Sequence, residues 1–366
     1  MEITFTAGFI GLGLIGGSIA RALKKYYPNV HILAHTRSTH TTDYALEHGI
    51  IDEICDCVDE RYLKCDYIFL CAPVECNASY LKALKPYLKK GCILTDVGST
   101  KTNIHKKVEE LALEEFFIGG HPMAGSEKTG IENAKAHLLE NAYYVLTPAS
   151  KVSQEMIDRY YELVASLKAI PLILTYEKHD YVTAAISHLP HIIASTLVNA
   201  VQKMDTPEEN MKLIAAGGFK DITRIASSNP VVWEHILLSN PKNIVNGLKE
   251  YIELLNKMIY DIERNDAKDI NAFFESSREY RDSIPNNTSG VIRMQYELFV
   301  DIPDEPGALA KVTVLLADAG INLKNFGISH NREDEEGVLR LSFYDTDACR
   351  KAFDLLADAG YRLYNR

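Results

Sequence analysis

A short stretch in the first half of the chain, residues 119–130, carries several side chains that can take part in chemistry. It places an imidazole, a hydroxyl, a carboxylate and an ammonium between glycines, in His121, Ser126, Glu127 and Lys128. The apolar residues 116–118 predict the end of a buried strand, so His121 is expected where a strand runs out into a loop. Pro122 disfavours helical geometry at His121. The composition is typical of a site, although a surface loop with a solvated histidine would have the same residues.

A glycine-rich turn near the N-terminus is a second candidate site. Residues 4–10 predict a short apolar strand, and a helix reaching about residue 27 follows the turn Gly11-Leu12-Gly13-Leu14-Ile15-Gly16. In a G-x-G-x-x-G turn between strand and helix, the first glycine permits the tight bend and the second lets a pyrophosphate approach. The third allows close packing. The setting predicts a dinucleotide held at the N-terminus of the helix.

The end of the next predicted strand, residues 30–34, should contact the cofactor ribose. An acid at this point selects NAD, whereas this chain has Thr36, Arg37 and Ser38 after His35. A hydroxyl and a guanidinium suit a 2′-phosphate, because arginine can form paired, charge-assisted hydrogen bonds to it. The sequence therefore favours NADP over NAD and leaves both open.

The elements that must position these residues alternate between strand and helix as far as residue 174, which predicts a doubly wound parallel α/β sheet. In such sheets ligands bind beyond the carboxyl ends of the strands. Four loops are expected at that edge: residues 11–16, Cys71-Ala72-Pro73, residues 96–101 and the His121 loop. Ser99 in the third loop is either a helix N-cap or a hydroxyl facing the substrate, or both.

From about residue 177 to 283 the pattern changes to long helices. His188 and His191 are one helical turn apart beside Pro190, a spacing that could bind a metal but lacks an obvious third ligand. A contact with the core or the substrate is the better interpretation, and no metal site is predicted. The proline is expected to kink the helix.

Further along this helical region, Gly217 and Gly218 precede Lys220 and Arg224, which are four residues apart and therefore share a helix face. Two cations together suit a dicarboxylate; the alternative is an exposed charged face. Trp233, the only tryptophan, ordinarily would be buried in the core. Long helices of this kind commonly pair with their copy, so a homodimer is expected.

The last part of the chain predicts a separate small module. Residues 283–290 have linker composition, and after them strand and helix signals follow in the order βαββαβ. This unit is too small for a second catalytic domain.

Composition limits the possible functions. The chain has 366 residues, enough for two or three domains, with 46% hydrophobic and 24% charged residues. Its formal net charge of −11 argues against nucleic acid or an acidic membrane as the partner. No apolar run approaches ~20 residues and no signal-peptide pattern begins the chain. Seven cysteines without zinc-ligand spacing indicate reduced thiols and a cytoplasmic protein.

Taken together, the motifs resemble those of the prephenate dehydrogenases that carry a C-terminal ACT domain, and the resemblance covers nearly the whole chain. The motifs are Gly11 to Gly17, Asp96-Val97-Gly98-Ser99, Gly119-Gly120-His121-Pro122 to Glu127, His188-Leu189-Pro190-His191, and Gly217-Gly218-Phe219-Lys220 with Arg224 and Trp233. The tail resembles ACT through Asp304-Glu305-Pro306-Gly307 and Gly320-Ile321-Asn322. One departure is Thr36, where many relatives have an acid.

The resemblance implies NAD(P)-dependent oxidative decarboxylation of prephenate to 4-hydroxyphenylpyruvate in tyrosine biosynthesis. It also implies feedback through the ACT domain, with tyrosine as the expected effector. It implies that neutral His121 accepts the hydroxyl proton, that Ser99 orients the hydroxyl and that Arg224 clamps the ring carboxylate. An imidazole with an ordinary pKa would make activity fall on acidification through about pH 6 to 7.

The resemblance also implies the remaining site residues and the domains. The other substrate-site residues are Lys220, His191, Glu127, Ser126, Gly217 and Trp233. The cofactor residues are Gly11, Leu12, Gly13, Leu14, Ile15, Gly16, Thr36, Arg37, Ser38, Cys71, Ala72 and Pro73. The effector residues are Asp304, Pro306, Gly307, Ala308 and Asn322. The expected domains are a Rossmann-like domain (1–176), an all-helical substrate and dimerisation domain (177–285) and the ACT domain (291–366).

Three alternatives stay open from the sequence. Arogenate differs from prephenate only by an amine in place of the keto group, and no residue decides between them. A β-hydroxyacid dehydrogenase shares a nucleotide domain followed by helices, but it would not explain the tail or the His121 loop. A catalytically silent, dinucleotide-dependent amino-acid sensor is the alternative of another class.

Overall fold

The computed structural model describes residues 4–72, 74–125, 128–284, 296–303, 305–330, 336–343 and 345–364. Four of the predicted site residues lie outside the described residues: Pro73, Ser126, Glu127 and Asp304. Most of the predicted linker lies outside them as well.

A five-stranded parallel sheet forms the first part of the chain, as predicted. Its strands are β1 (Thr6–Ile10), β2 (His31–His35), β3 (Glu53–Ile54), β4 (Tyr67–Leu70) and β5 (Ile93–Asp96), in the spatial order β3-β2-β1-β4-β5. The connecting helices are α1 (Leu14–Tyr26), α2 (Thr39–Glu47), α3 (Val74–Leu84) and α4 (Thr102–Glu110). The order reverses between β1 and β4, and such a reversal opens a crevice for a ligand at the carboxyl edge.

A smaller sheet continues beside β5. It consists of β6 (Ile118–Pro122), β7 (Tyr143–Pro148) and β8 (Ile170–Ile173), with α5 (Gln154–Ser166) between the last two. One parallel bridge, Leu94 to Phe117, joins it to β5, so β6 ends at the same edge as β5. Strand β7 runs antiparallel to β6, a pairing that the sequence pattern did not indicate. Among the described residues between β6 and β7 there are short 3₁₀ turns but no α-helix, the usual crossover between parallel strands.

The middle of the chain is helical, as predicted. Its helices are α6 (Tyr176–Thr183), α7 (Leu189–Met204), α8 (Asn210–Ile214), α9 (Gly217–Thr223), α10 (Pro230–Ser239), α11 (Pro241–Glu263) and α12 (Ala267–Ser283). A π-helical turn, Ala184–His188, joins α6 to α7 directly before Pro190. Turns of this type widen a helix by one residue and are frequent at functional sites.

Helices α6 and α7 with their π turn form one continuous helix of 29 residues, Tyr176–Met204. By length and composition it is the one helix in the described ranges that could cross a membrane, which is weak evidence. Its polar residues argue for a place within the protein, because His179 and Asp180 on it are fully buried and hydrogen-bonded.

The C-terminal module is the predicted βαββαβ unit. Its elements are β9 (Glu297–Pro303), α13 (Ala308–Asp318), β10 (Leu323–His330), β11 (Glu336–Phe343), α14 (Thr346–Asp358) and β12 (Leu363–Tyr364). The strands form an antiparallel sheet in the order β10-β11-β9-β12, and the module has its own apolar core. The chain divides into two compact units, Met1–Gly290 and Val291–Arg366. The finer boundaries at residues 176 and 285 stay predictions.

Candidate active site

The glycine turn between β1 and α1 lies at the carboxyl edge of the large sheet. Gly11 has a φ of +91°, and a Cβ there would lie 2.8 Å from the backbone nitrogen of Ala72. A Cβ on Gly16 would lie 2.8 Å from Cβ of Cys71. These close contacts explain why the turn needs glycines at both positions, and they place the end of β4 against it, as predicted for Cys71 and Ala72.

The same turn fits the phosphates of a dinucleotide. No described residue lies within 4 Å of a Cβ built on Gly13, so this side of the turn faces open space. Helix α1 begins there without a side-chain cap and without an acid in its first turn. The amides of Leu14, Ile15 and Gly16 therefore have no partner within the helix and can donate to an anion.

The end of β2 has the residues expected to contact the ribose, and part of their hydrogen-bonding capacity is used locally. The Thr36 hydroxyl donates to the carbonyl oxygen of Ser38 at 2.7 Å. The Ser38 hydroxyl accepts from the amide of Thr41 at 3.4 Å and caps α2. Arg37 is exposed between them.

A buried ion pair organises the loop after β5. Asp96 and Lys101 are both buried, and the Lys101 ammonium donates to the Asp96 carboxylate and, at 2.7 Å, to the carbonyl oxygen of Gly120. Asp96 also accepts from the amides of Gly98 at 2.9 Å and Gly120 at 3.2 Å. The pair holds the β5 loop and the end of β6 together, directly before His121.

The N-terminus of α4 is capped from another part of the chain. The Asp180 carboxylate, on α6, accepts from the amides of Lys101 at 2.7 Å and Thr102 at 2.8 Å, and from the Thr102 hydroxyl at 2.5 Å. Of the two roles left open for Ser99, the N-cap is not the one observed, since the cap position is Lys101 and Asp180 satisfies the amides. Ser99 is half-buried in the turn before it, which leaves its predicted contact with a substrate hydroxyl as a hypothesis.

His121 lies near the end of β6 and is 8% exposed. Its Nδ1 lies 2.8 Å from Nε2 of His179, and Nδ1 of His179 lies 2.9 Å from the Asp180 carboxylate. Burial, with His179, Lys101 and His188 nearby, holds the pKa of His121 well below its ordinary value of 6.5. The imidazole is therefore neutral at neutral pH, and the fall of activity predicted for pH 6 to 7 moves to lower pH.

A second cluster surrounds Trp233. The indole stacks on His191 with ring centroids 3.7 Å apart and meets His188 edge-on at 6.2 Å. Trp233 is half-buried and thus less enclosed than a core tryptophan. Burial, with Arg224 nearby, lowers the pKa of His191 although a hydrogen bond with the backbone of Ile225 opposes the change.

A cavity of about 270 Å³ adjoins this cluster, between α7, α10 and the 3₁₀ turn Arg224–Ser227. Its lining mixes apolar and hydroxyl or amide groups: His191, Ile192, Ser195, Thr196, Asn199, Ile225, Ser228, Trp233 and Leu237. His121 is not part of this lining.

Buried His188 is near both groups, because its ring meets Trp233 edge-on and its charged form would interact with both His179 and His191. Gly217, Lys220 and Arg224 are exposed on α9 and the turn after it. The structure thus places His188 near both His121 and His191, and Arg224 near His191.

Comparison with known proteins is consistent with this geometry. Residues 19–172 match the family model "Prephenate dehydrogenase, nucleotide-binding domain", residues 175–276 match "Prephenate dehydrogenase, dimerization domain", and residues 296–348 match "ACT domain". The prephenate dehydrogenase of Bacillus subtilis (strain 168) is 38% identical over 344 residues, which cover 93% of each chain. The chain belongs to the prephenate dehydrogenase family.

Solved structures of the family have the same fold. The prephenate dehydrogenase from A. aeolicus in complex with hydroxyphenyl propionate and NAD+ superposes with a TM-score of 0.72 at 30% identity, over 77% of this chain and 99% of that one. The Synechocystis arogenate dehydrogenase gives a TM-score of 0.70 at 29% identity, over 76% of this chain and 100% of that one.

Four buried residues of this family member were given no role from the sequence: Asp96, Lys101, His179 and Asp180. Asp96 and Lys101 belong to a loop that was predicted to reach the sheet edge, so an acid and a lysine five residues apart were a usable signal. The adjacent pair His179 and Asp180 had no such setting, because its partners are 58 and 78 residues away.

Of the predicted effector residues of the ACT module, those that the structure describes lie at both ends of α13. Gly307, with a φ of +92°, and Ala308 begin the helix, and Asn322 is exposed beyond its end. Eleven residues of helix separate the two groups, about 16 Å, so one module does not bring them together. Pro306 is exposed in the turn before Gly307.

Proposed function

We propose that this member of the prephenate dehydrogenase family catalyses the NAD(P)-dependent oxidative decarboxylation of prephenate to 4-hydroxyphenylpyruvate, with His121 as the proton acceptor. The observation that carries the role of His121 is a buried imidazole, with its pKa held well below the ordinary value, at the same sheet edge as a glycine turn that fits a dinucleotide. A neutral imidazole can take up a proton, whereas a protonated one cannot.

The reaction combines a hydride transfer, a proton transfer and the loss of carbon dioxide on one ring. When bound, the dinucleotide supplies the nicotinamide ring that accepts the hydride from the carbon bearing the hydroxyl. His121 accepts the hydroxyl proton as the carbonyl forms, and carbon dioxide leaves the opposite ring carbon. Aromatisation supplies the driving force, and the proton returns from His121 to the phenolic oxygen of the product. Ser99 orients the substrate hydroxyl.

Substrate binding is assigned to the helical part of the chain. Arg224 clamps the ring carboxylate through a charge-assisted pair of hydrogen bonds, and Lys220 and His191 contribute to the same polar end. Trp233 presents an indole face beside His191, which suits a planar ring. In a chain with a net charge of −11, this local pair of cations is what attracts a dianion.

For the cofactor we infer a preference for NADP over NAD. The supporting observation is the exposed Arg37 at the end of β2 together with the lack of an acid at Thr36. An acid would accept from the ribose hydroxyls and repel a 2′-phosphate, whereas a guanidinium attracts the phosphate.

For assembly and regulation we infer a homodimer that binds tyrosine between ACT modules. The helical region exposes large apolar side chains, including Leu213 (79%), Ile214 (75%) and Leu238 (71%), an extent of apolar surface typical of an interface. Tyrosine bound where the start of α13 in one copy meets the end of α13 in the other would contact Gly307 and Asn322 together. Binding that favours one arrangement of the dimer would reduce activity.

The experiment that tests these assignments is a matrix of prephenate or arogenate against NAD or NADP, each with and without tyrosine or phenylalanine. Formation of reduced nicotinamide is followed by absorbance. We expect the fastest turnover with prephenate and NADP, and inhibition by tyrosine. Faster turnover with arogenate would make that the substrate, an alternative supported by the similar fold of the Synechocystis enzyme. No turnover with any pair would favour the amino-acid sensor.

A further inference from the structure

The buried carboxylate of Asp180 accepts hydrogen bonds on both oxygens. Backbone amide N–H groups can only donate. Oδ1 of Asp180 must therefore accept from the amide of Lys101, and Oδ2 must accept from the amide of Thr102. The Thr102 hydroxyl adds a third donor. Burial acts to raise the pKa of Asp180, but the hydrogen bonds from His179, Thr102 and Lys101 outweigh it, and the net pKa is lowered. Asp180 is therefore a carboxylate and needs a donor from His179.

The ionised Asp180 determines which nitrogen of His179 carries hydrogen. Nδ1 of His179 lies 2.9 Å from the carboxylate and must donate to it. In the neutral imidazole the other nitrogen, Nε2, then has a lone pair and accepts. Nε2 lies 2.8 Å from Nδ1 of His121, and one hydrogen can lie between two nitrogens at that distance. That hydrogen belongs to Nδ1 of His121.

We propose that Asp180 and His179 are positioning residues that hold His121 in one tautomer, with hydrogen on Nδ1 and the lone pair on Nε2. The inference rests on the proposed function, since Nε2 is then the atom that accepts the substrate's proton. Both residues are 0% exposed and act through His121 without touching a substrate. The arrangement differs from a two-residue histidine and aspartate pair because a second imidazole transmits the effect of the carboxylate.

The tautomer can be read without any activity measurement. In the full chain labelled with ¹⁵N-histidine, long-range proton–nitrogen correlation spectra distinguish the two ring nitrogens, and the His121→Asn variant identifies the signals of residue 121. We expect a hydrogen on Nδ1 of His121. A hydrogen on Nε2 in the parent protein would overturn the proposal. This result does not depend on which substrate is used, so a failure of the proposed function would be seen separately in the turnover matrix.

Two substitutions of the intervening imidazole separate positioning from packing. In His179→Gln the amide oxygen can accept from His121 while its NH₂ group donates to Asp180, which keeps the order of donors and acceptors. In His179→Leu no acceptor remains. We expect the leucine variant to lose on the order of 10²-fold in kcat at unchanged affinity for the dinucleotide, and the glutamine variant to recover most of this loss. Equal kcat in the leucine variant and the parent would overturn the proposal.

A matched control removes one hydrogen bond from the Asp180 carboxylate without changing the order of donors and acceptors from Asp180 through His179 to His121. Thr102→Val deletes the hydroxyl that donates to Asp180 and leaves both amides and His179 in place. We expect the valine variant to keep hydrogen on Nδ1 of His121 and a kcat within a few fold of the parent, whatever the change in melting temperature. A loss of kcat as large as that of His179→Leu, with the tautomer unchanged, would show that kcat does not follow the tautomer of His121 and would overturn the proposal.

Discussion

At the scale of the residue, the environment of His121 decides what its imidazole can do. An exposed histidine ordinarily titrates near pH 6.5. Burial and the neighbouring cation Lys101 keep His121 uncharged instead. The imidazole can therefore accept a proton over a wider range of pH than its type alone implies.

This assignment makes a testable prediction for His121→Asn. Asparagine keeps a polar side chain of similar size but cannot take up a proton, so we expect turnover to fall by about 10²-fold or more. Titration with the dinucleotide should give the affinity of the parent. The control is His137→Asn, which changes an exposed histidine on the 3₁₀ turn Ala136–Leu139 and should keep full turnover. Unchanged turnover in His121→Asn would remove this residue from the mechanism.

A second residue-scale prediction concerns Arg224→Ala. Loss of a charge-assisted clamp worth about 2 to 4 kcal/mol should weaken prephenate binding by about 30- to 1,000-fold and raise KM more than it lowers kcat. Steady-state kinetics at saturating dinucleotide measure both. Arg264→Ala is the control, because Arg264 is exposed on the helical region and donates to the Tyr260 hydroxyl at 2.9 Å. Identical substrate dependence in the Arg224 variant and the parent would mean that Arg224 is a surface charge.

At the scale of the element, the ends of helices carry the chemistry. Helix α1 begins without a side-chain cap, which leaves amides for an anion, whereas α4 is capped by Asp180 of α6. The N-termini of α1 and α4 look alike in the sequence, since each follows a glycine-containing loop after a strand. They differ because α6 packs its carboxylate against only one of them.

The glycine turn allows a matched pair of substitutions. In Gly13→Ala the new methyl group meets no described residue within 4 Å, so we expect an unchanged melting temperature. It would project into the space needed by the pyrophosphate and should weaken dinucleotide binding by at least about 10-fold. In Gly11→Ala the methyl group meets backbone atoms at 2.8 Å at a φ of +91°, so stability should fall as well. Dinucleotide titration and thermal unfolding measure the two effects; parent-like binding by Gly13→Ala would contradict the assignment.

At the scale of the whole molecule, three buried histidines link stability to pH. Burial lowers the pKa of His105 to about 4 and that of His188 to about 4, and it holds the pKa of His121 well below 6.5. In the unfolded chain each titrates near its ordinary value, so below about pH 6.5 the unfolded state binds more protons than the native state. Acid therefore favours unfolding.

We expect the free energy of unfolding to fall as the pH decreases from 6.5 towards 4, by up to about 1.4 kcal/mol per pH unit for each of these histidines. Below the native pKa values the contribution of His105 and His188 should level off. Urea unfolding at a series of pH values measures the slope, and His105→Gln should reduce it by removing one titrating group. A free energy of unfolding that is constant between pH 7 and 5 would contradict this expectation.

The sequence by itself determined the parts of the protein that depend on local patterns. These are the parallel sheet with its glycine turn, the helical middle, the βαββαβ tail, and the candidate roles of His121 and Arg224. The tertiary structure alone decided the antiparallel return of β7, the capping of α4 by Asp180 and the contact between His121 and His179. Periodicity and turn chemistry act over a few residues. The capping of α4 and the contact of His121 with His179 join residues 58 to 79 apart, and the pairs of β6 and β7 are 22 to 30 residues apart, so their partners are selected by packing.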